Sequence, residues 1–322
     1  MRKPGTGAAF AVVLAALAIV AVVPVIAPWS RLILTIILAK ALAVLGILVL
    51  LRAGQVSFGH GMFYAGSAYA AAFLARADSG SDVALLLVAG VACAILFGTA
   101  VGLFVVRYRS IFFGMLNLAF SMVLYSLLQK SFHLTGGSDG LRVPRPAFFG
   151  LALDRDPFEW ALFYFVLALA VVVTVAMRRY LDSPLGRALG ALKTNETRLE
   201  YLGVSARRVL LVAYVLSAVL AGLAGTILAI ASGHVTPESG YWVRSSEFVF
   251  IAVLGGSGSV AGPFVGTLVY ELVRLYASAY AAEIWQAVLG IVLLLVILFA
   301  PGGLVGILGR RRVGGREREA VP

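Results

Sequence analysis

Long apolar runs with few polar interruptions recur along the chain at about 8–27, 32–51, 58–75, 83–106, 111–130, 158–177, 209–231 and 284–300. Each is close to the ~20 residues that carry a helix across ~30 Å of hydrocarbon. None alternates apolar and polar residues at a period of two, as the strands of a membrane barrel do. A helix keeps its backbone hydrogen bonds within one segment, which lipid demands. The pattern predicts an all-α, polytopic transmembrane helical bundle. The first run follows a basic lead and resembles a secretory leader. Its length exceeds a leader's apolar core, so it is read as a retained span.

Two places break the pattern. The stretch "GQVSFGHGMFYAGSAY", 54–69, is rich in glycine and polar residues. The stretch 247–276 is interrupted by Gly255-Gly256-Ser257-Gly258-Ser259 and then Gly262-Pro263, a combination that ends a helix. Charge decides how the second is threaded. With a cytoplasmic N-terminus and a hairpin that returns to its own side, 17 Lys and Arg fall in the cytoplasm and 8 outside. A single crossing sends the arginines from Arg310 to Arg318 outside and removes that excess, against the positive-inside rule. The expectation is therefore about ten helical pieces, including a glycine-broken hairpin, with both termini cytoplasmic.

Irregular backbone at membrane depth is tolerated where it is buried in protein or lines a wet cavity. Gly54, Gln55, Ser57, Gly59 and His60, with Gly255, Gly256, Ser257 and Gly258, are accordingly candidate substrate-pathway residues. The plainer alternatives are helix-packing glycines in the first cluster and a tight turn in the second. Offset by 201 residues, Gly54, Gly61, Phe63 and Tyr69 match Gly255, Gly262, Phe264 and Tyr270. Four identities in so biased a composition are near chance.

Between the sixth and seventh runs lies "DSPLGRALGALKTNETRLEYLGV", 182–204. Ser183 or Asp182 suits a helix cap, Pro184 the first helical position and Gly203 the close. Leu185, Leu189, Leu192, Leu199 and Leu202 recur at spacings compatible with one helical face. Too polar to span, this amphipathic helix lies on a membrane surface or docks in a groove of a cytoplasmic partner.

Composition sharpens the picture. The 322 residues are 61% hydrophobic and 13% charged, with mean hydropathy +0.99. A net charge of +11 is scattered between the apolar runs, as topology determinants are, so no nucleic-acid partner is expected. His60, His133 and His234 lie far apart and Cys93 stands alone, so no metal site is expected. "GGSDG", 136–140, has the spacing of a nucleophile elbow but lacks the strand-to-helix setting. No Gly-Lys dipeptide is present, so a phosphate loop is absent and any energy must come from a partner or a gradient. Lys40, near the middle of the second run, costs about 2.5–3.5 kcal/mol at a bilayer centre. Glu271 is a candidate partner. Asn117 and Gln129, in the fifth run, are candidates for bonds between helices.

Several stretches together resemble the permease subunits of branched-chain amino-acid ABC transporters, specifically the M-type member. They are "GQVSFGHGMFYAGSAY", "LTGGSDGL" at 134–141, "SPLGRALGALKTNETRLEYLGV", "LAGLAGTILA" at 220–229, "VLGGSGSVAGPFVG" at 253–266 and "FAPGGLVGIL" at 299–308. Their order and spacing carry the resemblance over roughly 30–308. It implies no enzyme activity and no cofactor of the chain's own, ATP being used by partner subunits. The implied partners are an H-type permease, two cytoplasmic ATPases, an extracytoplasmic substrate-binding protein and the lipid bilayer of a bacterial inner membrane. Within 182–204 the resemblance assigns ATPase coupling to Ser183, Pro184, Gly186, Arg187, Leu189, Leu192, Asn195, Glu196, Leu199 and Gly203. The family commonly has an asparagine in the second helix and Gly-Tyr before Ala-Gly-Gln. This chain has Ile47 and Leu51-Arg52 there.

The expected organisation is a permease domain over 1–308 and a basic cytoplasmic tail over 309–322. The expected function is ATP-driven import of branched-chain amino acids or a closely related small polar solute. The rival is a self-contained channel or gradient-driven carrier for a solute such as urea or an amide.

Overall fold

The computed structural model describes residues 20–77, 81–280, 285–299 and 302–306. Most of the expected first span and the whole basic tail lie outside the described residues. Besides a helical stretch at 20–26, the described residues include eleven helices of six residues or more: α1 Ser30–Arg52, α2 His60–Ala77, α3 Val83–Val105, α4 Ser110–Lys130, α5 Arg155–Asp182, α6 Pro184–Thr194, α7 Glu196–Tyr201, α8 Ala206–Ser232, α9 Trp242–Gly255, α10 Gly262–Tyr280 and α11 Trp285–Phe299. Five of them, α1, α3, α4, α5 and α8, are long and apolar enough to cross a membrane. The chain is a helical transmembrane bundle.

α1 is the central pillar. Predominantly apolar apart from Lys40 at its middle and the polar residues near its ends, it is covered by α5, α8, α9 and α10, and from Ile37 to Leu50 every residue is buried. α8 packs along α1, α2 and α3. Small residues permit that closeness. At Gly225 a Cβ would collide with the Tyr64 carbonyl, so the α8 backbone meets α2 directly. α3 and α4 lie outside this core and turn Leu96, Ile111, Phe112 and Val123 outward, as lipid-facing walls do.

The loop between α4 and α5 is anchored rather than free. Leu141–Arg142 pairs antiparallel with His234–Val235, tying this loop to the end of α8. Around "GGSDG" a helical turn at Phe132–Thr135 leads into a 3-10 turn at Gly137–Asp139, so the setting of a nucleophile elbow is absent here.

The stretch 247–276 folds back on itself. A Cβ on Gly255 would meet the Gly262 carbonyl, and one on Gly266 would lie 2.5 Å from the Ile251 carbonyl. Those pairs run antiparallel, so α9 and α10 form the hairpin. With 14 residues, α9 is about 21 Å long, short of the ~30 Å hydrocarbon layer.

Candidate functional site

Three assemblies stand out, and the first two meet at the C-terminal end of α1. There the chain leaves helix through Gly54, whose φ of +74° suits glycine. Gln55 turns inward and its Oε1 accepts from the Ser110 amide at 2.8 Å. His60 is fully buried between Ser57, 3.0 Å from its Nδ1, and Ser217 at its Nε2. Ser217 donates to the Gly46 carbonyl at 2.6 Å, so its oxygen accepts from His60 Nε2. Nδ1 then accepts from Ser57, giving one directed chain from Ser57 through His60 and Ser217 to α1. A Cβ on Gly59 would strike the Asn117 carbonyl. Asn117 in turn is bonded to Tyr214 through its Oδ1 and to the Phe113 carbonyl at 2.8 Å through its Nδ2. Gln55, Ser57, Gly59 and His60 are thus held inside a junction of α1, α2, α4 and α8. They line neither a cavity around Arg142, Arg155 and Glu159 nor one between α9, α10 and α11.

The Gly255–Gly258 cluster forms the hairpin turn. Gly256 has φ +94°, and the Gly258 carbonyl accepts from Arg52 at 2.8 Å. Arg52 therefore fastens this turn to the end of α1. Ser257 and Gly258 are exposed.

The second assembly is the 182–204 segment, and it differs from expectation in one respect. It is two helices, α6 and α7, broken at Asn195. Ser183 caps α6, accepting from the Gly186 amide at 3.3 Å, with Pro184 next. Asn195 is extended, and its side chain caps α7 by accepting from the Arg198 amide at 2.9 Å. A short amide side chain that bonds the backbone ahead favours a cap over helix interior, which explains the break. Leu189, Leu192 and Leu199 are buried, as the spacing predicts, whereas Leu185 and Leu202 are exposed. A face drawn through one continuous helix does not survive the change of direction at Asn195.

Glu196 receives Arg109 on both oxygens, at 2.8 and 2.6 Å, which fixes α7 against the α3–α4 loop. Arg187 donates to the Asp182 carbonyl at 3.1 Å. A Cβ on Gly186 would crowd Leu181, and Gly203 closes the segment with φ +78°. Tyr201 and Leu202, at the tip, are 87% and 74% exposed. α6 also reaches the first assembly, because the Gly54 backbone packs on the Lys193 side chain.

The third assembly lies at the middle of α1. Lys40 Nζ bonds Glu247 Oε1 of α9 at 2.6 Å and pairs with Glu271 of α10. Arg244 Nη1 bonds the other Glu247 oxygen at 2.6 Å, and Arg274 lies 3.7 Å from Glu271. Lys40 also sits over the Tyr270 ring at 5.8 Å. Sequence reasoning named Lys40 and Glu271 but missed Glu247, Arg244 and Arg274. A signal existed, because 244 and 274, like 247 and 271, are equidistant from Ser259 in the turn. A cavity of about 460 Å³ opens beside this cluster, between α9, α10 and α11. Among the described residues no group of His, Cys, Asp or Glu is arranged to hold a metal ion.

A family profile described as "Branched-chain amino acid transport system / permease component" matches residues 31–297. The chain belongs to this permease family. The high-affinity branched-chain amino acid transport system permease protein LivM of Escherichia coli (strain K12) is 32% identical, over 78% of this chain and 64% of that protein. LivH of Salmonella typhimurium, named as a permease protein of the same kind of system, is 29% identical, over 79% of this chain and 86% of its own length. The probable branched-chain amino acid transport permease protein LivM of Methanocaldococcus jannaschii is 24% identical, over 84% and 83%. This permease family member spans about two thirds of the length of the enterobacterial LivM relatives, 64% in each. No solved structure matches the chain. The matched region takes in all three assemblies.

Proposed function

We propose that this chain is a permease subunit of an ATP-driven importer for branched-chain amino acids or a closely related small polar solute. The observation that carries the reading is the family match across 31–297, which includes the capped, outward-standing α6–α7 segment. In this reading the chain sits in a bacterial inner membrane with 182–204 and both termini in the cytoplasm. α6 and α7 seat in an ATPase subunit, and Tyr201 and Leu202 at their tip are the apolar contact. A second ATPase, an H-type permease and an extracytoplasmic binding protein complete the assembly. The relatives' names supply the solute class, and the missing phosphate loop supports an external motor.

No residue of the chain makes or breaks a covalent bond in this scheme. The chain's part is mechanical: Ser183, Pro184 and Gly186 start α6 at a fixed angle from α5, and Arg109 holds α7 through Glu196. Transport in vesicles bearing the assembled subunits tests it. Arg187→Glu and Gly203→Pro are expected to leave the permease in the membrane and ATP hydrolysis running, while uptake per ATP falls severalfold. Unchanged coupling in both variants refutes the role given to this segment. Uptake by the chain alone, without ATPase subunits, favours the channel or gradient-driven carrier instead.

A further inference from the structure

A cavity of about 380 Å³ lies where three spans end together: α1 at Leu32 and Thr35, α5 from Arg155 to Leu162, and α8 from Ile230 to Ser232. Helices that cross a bilayer end near its polar boundary, where Trp and Tyr gather. Trp160 stacks on Tyr164 in the same part of α5, and Arg31 lies over the Trp160 ring at 4.8 Å. Three arginines line the cavity, Arg142, Arg145 and Arg155, with one carboxylate, Glu159. Arg155 holds Glu159 at 2.9 Å. Among the described residues no carboxylate pairs with Arg142 or with Arg145, which lies over the Phe158 ring at 5.9 Å. The backbone carrying these two arginines is fixed. Arg142 is in register with His234 across the short sheet, and the Ala147 amide donates to the Ser81 carbonyl at 2.9 Å. Pro144 and Pro146 restrict the chain between those anchors. The rest of the wall is largely apolar, with Leu32, Phe158, Leu162 and Ile230.

We infer that this cavity binds the headgroup of an anionic phospholipid. Arg142 and Arg145 receive its phosphodiester, because their planar forks suit phosphate oxygens. Its chains leave along Leu32, which is exposed. Basic pockets between spans suit such headgroups. A phospholipid brings together at one depth what the cavity brings together, a fixed anion and an aliphatic body. A free phosphate, or an acidic stretch of another protein, uses the arginines and leaves the apolar wall uncovered. The bound lipid ties the ends of α1, α5 and α8 to the loop that carries the arginines. The inference stands apart from the transport and coupling readings.

Lipid titration read by native mass spectrometry tests it, using the full chain purified with its copurifying subunits in detergent. The probes are dioleoyl phosphatidylglycerol, dioleoyl phosphatidylcholine, glycerophosphoglycerol, inorganic phosphate and a hexaglutamate peptide. Phosphatidylglycerol is expected to bind about tenfold more tightly than phosphatidylcholine. Glycerophosphoglycerol, which has the headgroup without the chains, is expected to bind far more weakly than the intact lipid. Replacing both arginines, Arg142→Gln with Arg145→Gln, is expected to abolish the preference for phosphatidylglycerol. Arg76→Gln, which removes an exposed charge outside the cavity, is expected to leave it intact. Should the double variant fail to fold, Arg142→Gln alone keeps Arg145 on its ring and is expected to lower the preference severalfold. A preference that survives in the variants lacking these arginines, or that falls equally in Arg76→Gln, overturns the proposal. Glycerophosphoglycerol or inorganic phosphate bound as tightly as the lipid overturns it in favour of a free anion. Hexaglutamate that displaces the lipid at equal concentration overturns it in favour of an acidic protein partner.

Discussion

A single lysine decides how α1 relates to its neighbours. Removing Lys40 leaves Glu247 and Glu271 close together and without their shared cation. Breaking a buried pair in this way costs about 3–5 kcal/mol. Lys40→Met is therefore expected to lower the melting temperature of the purified chain in nanodiscs sharply. Adding Glu271→Gln removes one stranded carboxylate and is expected to recover part of the loss. A double variant no more stable than Lys40→Met refutes the pairing. His60 illustrates the opposite case. Its neighbours satisfy both ring nitrogens, and His60, a pathway candidate in the sequence, bridges α2, α8 and α1.

Among the elements, the long apolar helices were legible because length and hydropathy suffice to define a membrane span. α1, α3, α4, α5 and α8 follow the runs read from the sequence. The hairpin was legible from charge and from its glycines, and antiparallel contacts bear it out. The break at Asn195 was not legible. Leucine spacing fits a single long face, and one capping bond to Arg198 outweighs that periodicity. Removing such a cap costs about 1 kcal/mol. Asn195→Ala is accordingly expected to fray α7, read as faster amide exchange at 196–201 with α6 unchanged. Equal exchange in the two proteins would show that Arg109 alone holds α7. The candidate pathway residues were legible as unusual, not as to role. Glycine is equally suited to close packing and to an open route, and only the partners of Gly59 and Gly225 show close packing.

The whole molecule has two unlike ends. One carries the α4–α5 loop, anchored by Leu141 and Arg142; the other carries α6 and α7. The sole cysteine, Cys93, permits a direct test of their sidedness. In a Cys93→Ser background, Ser138→Cys is expected to react with an impermeant maleimide in intact cells. Tyr201→Cys is expected to react only in inverted vesicles. Both reacting from one side would refute the threading. The charge asymmetry that predicts this threading was legible, because it is a property of loops. The central cluster was not, because four of its five charges are scattered through a stretch whose fold had first to be known.

The end of α1 bears three burdens at once: Arg52 grips the hairpin turn, Gly54 rests on Lys193, and Gln55 holds the start of α4. From Arg52 back to Lys40 the same helix runs unbroken for roughly 18 Å. A stroke delivered to α6 thus has a stiff rod to push on, with slack only in the glycine joints. The charged centre and the far end share one helix, so under the proposed coupling a displacement of the end carries the centre with it.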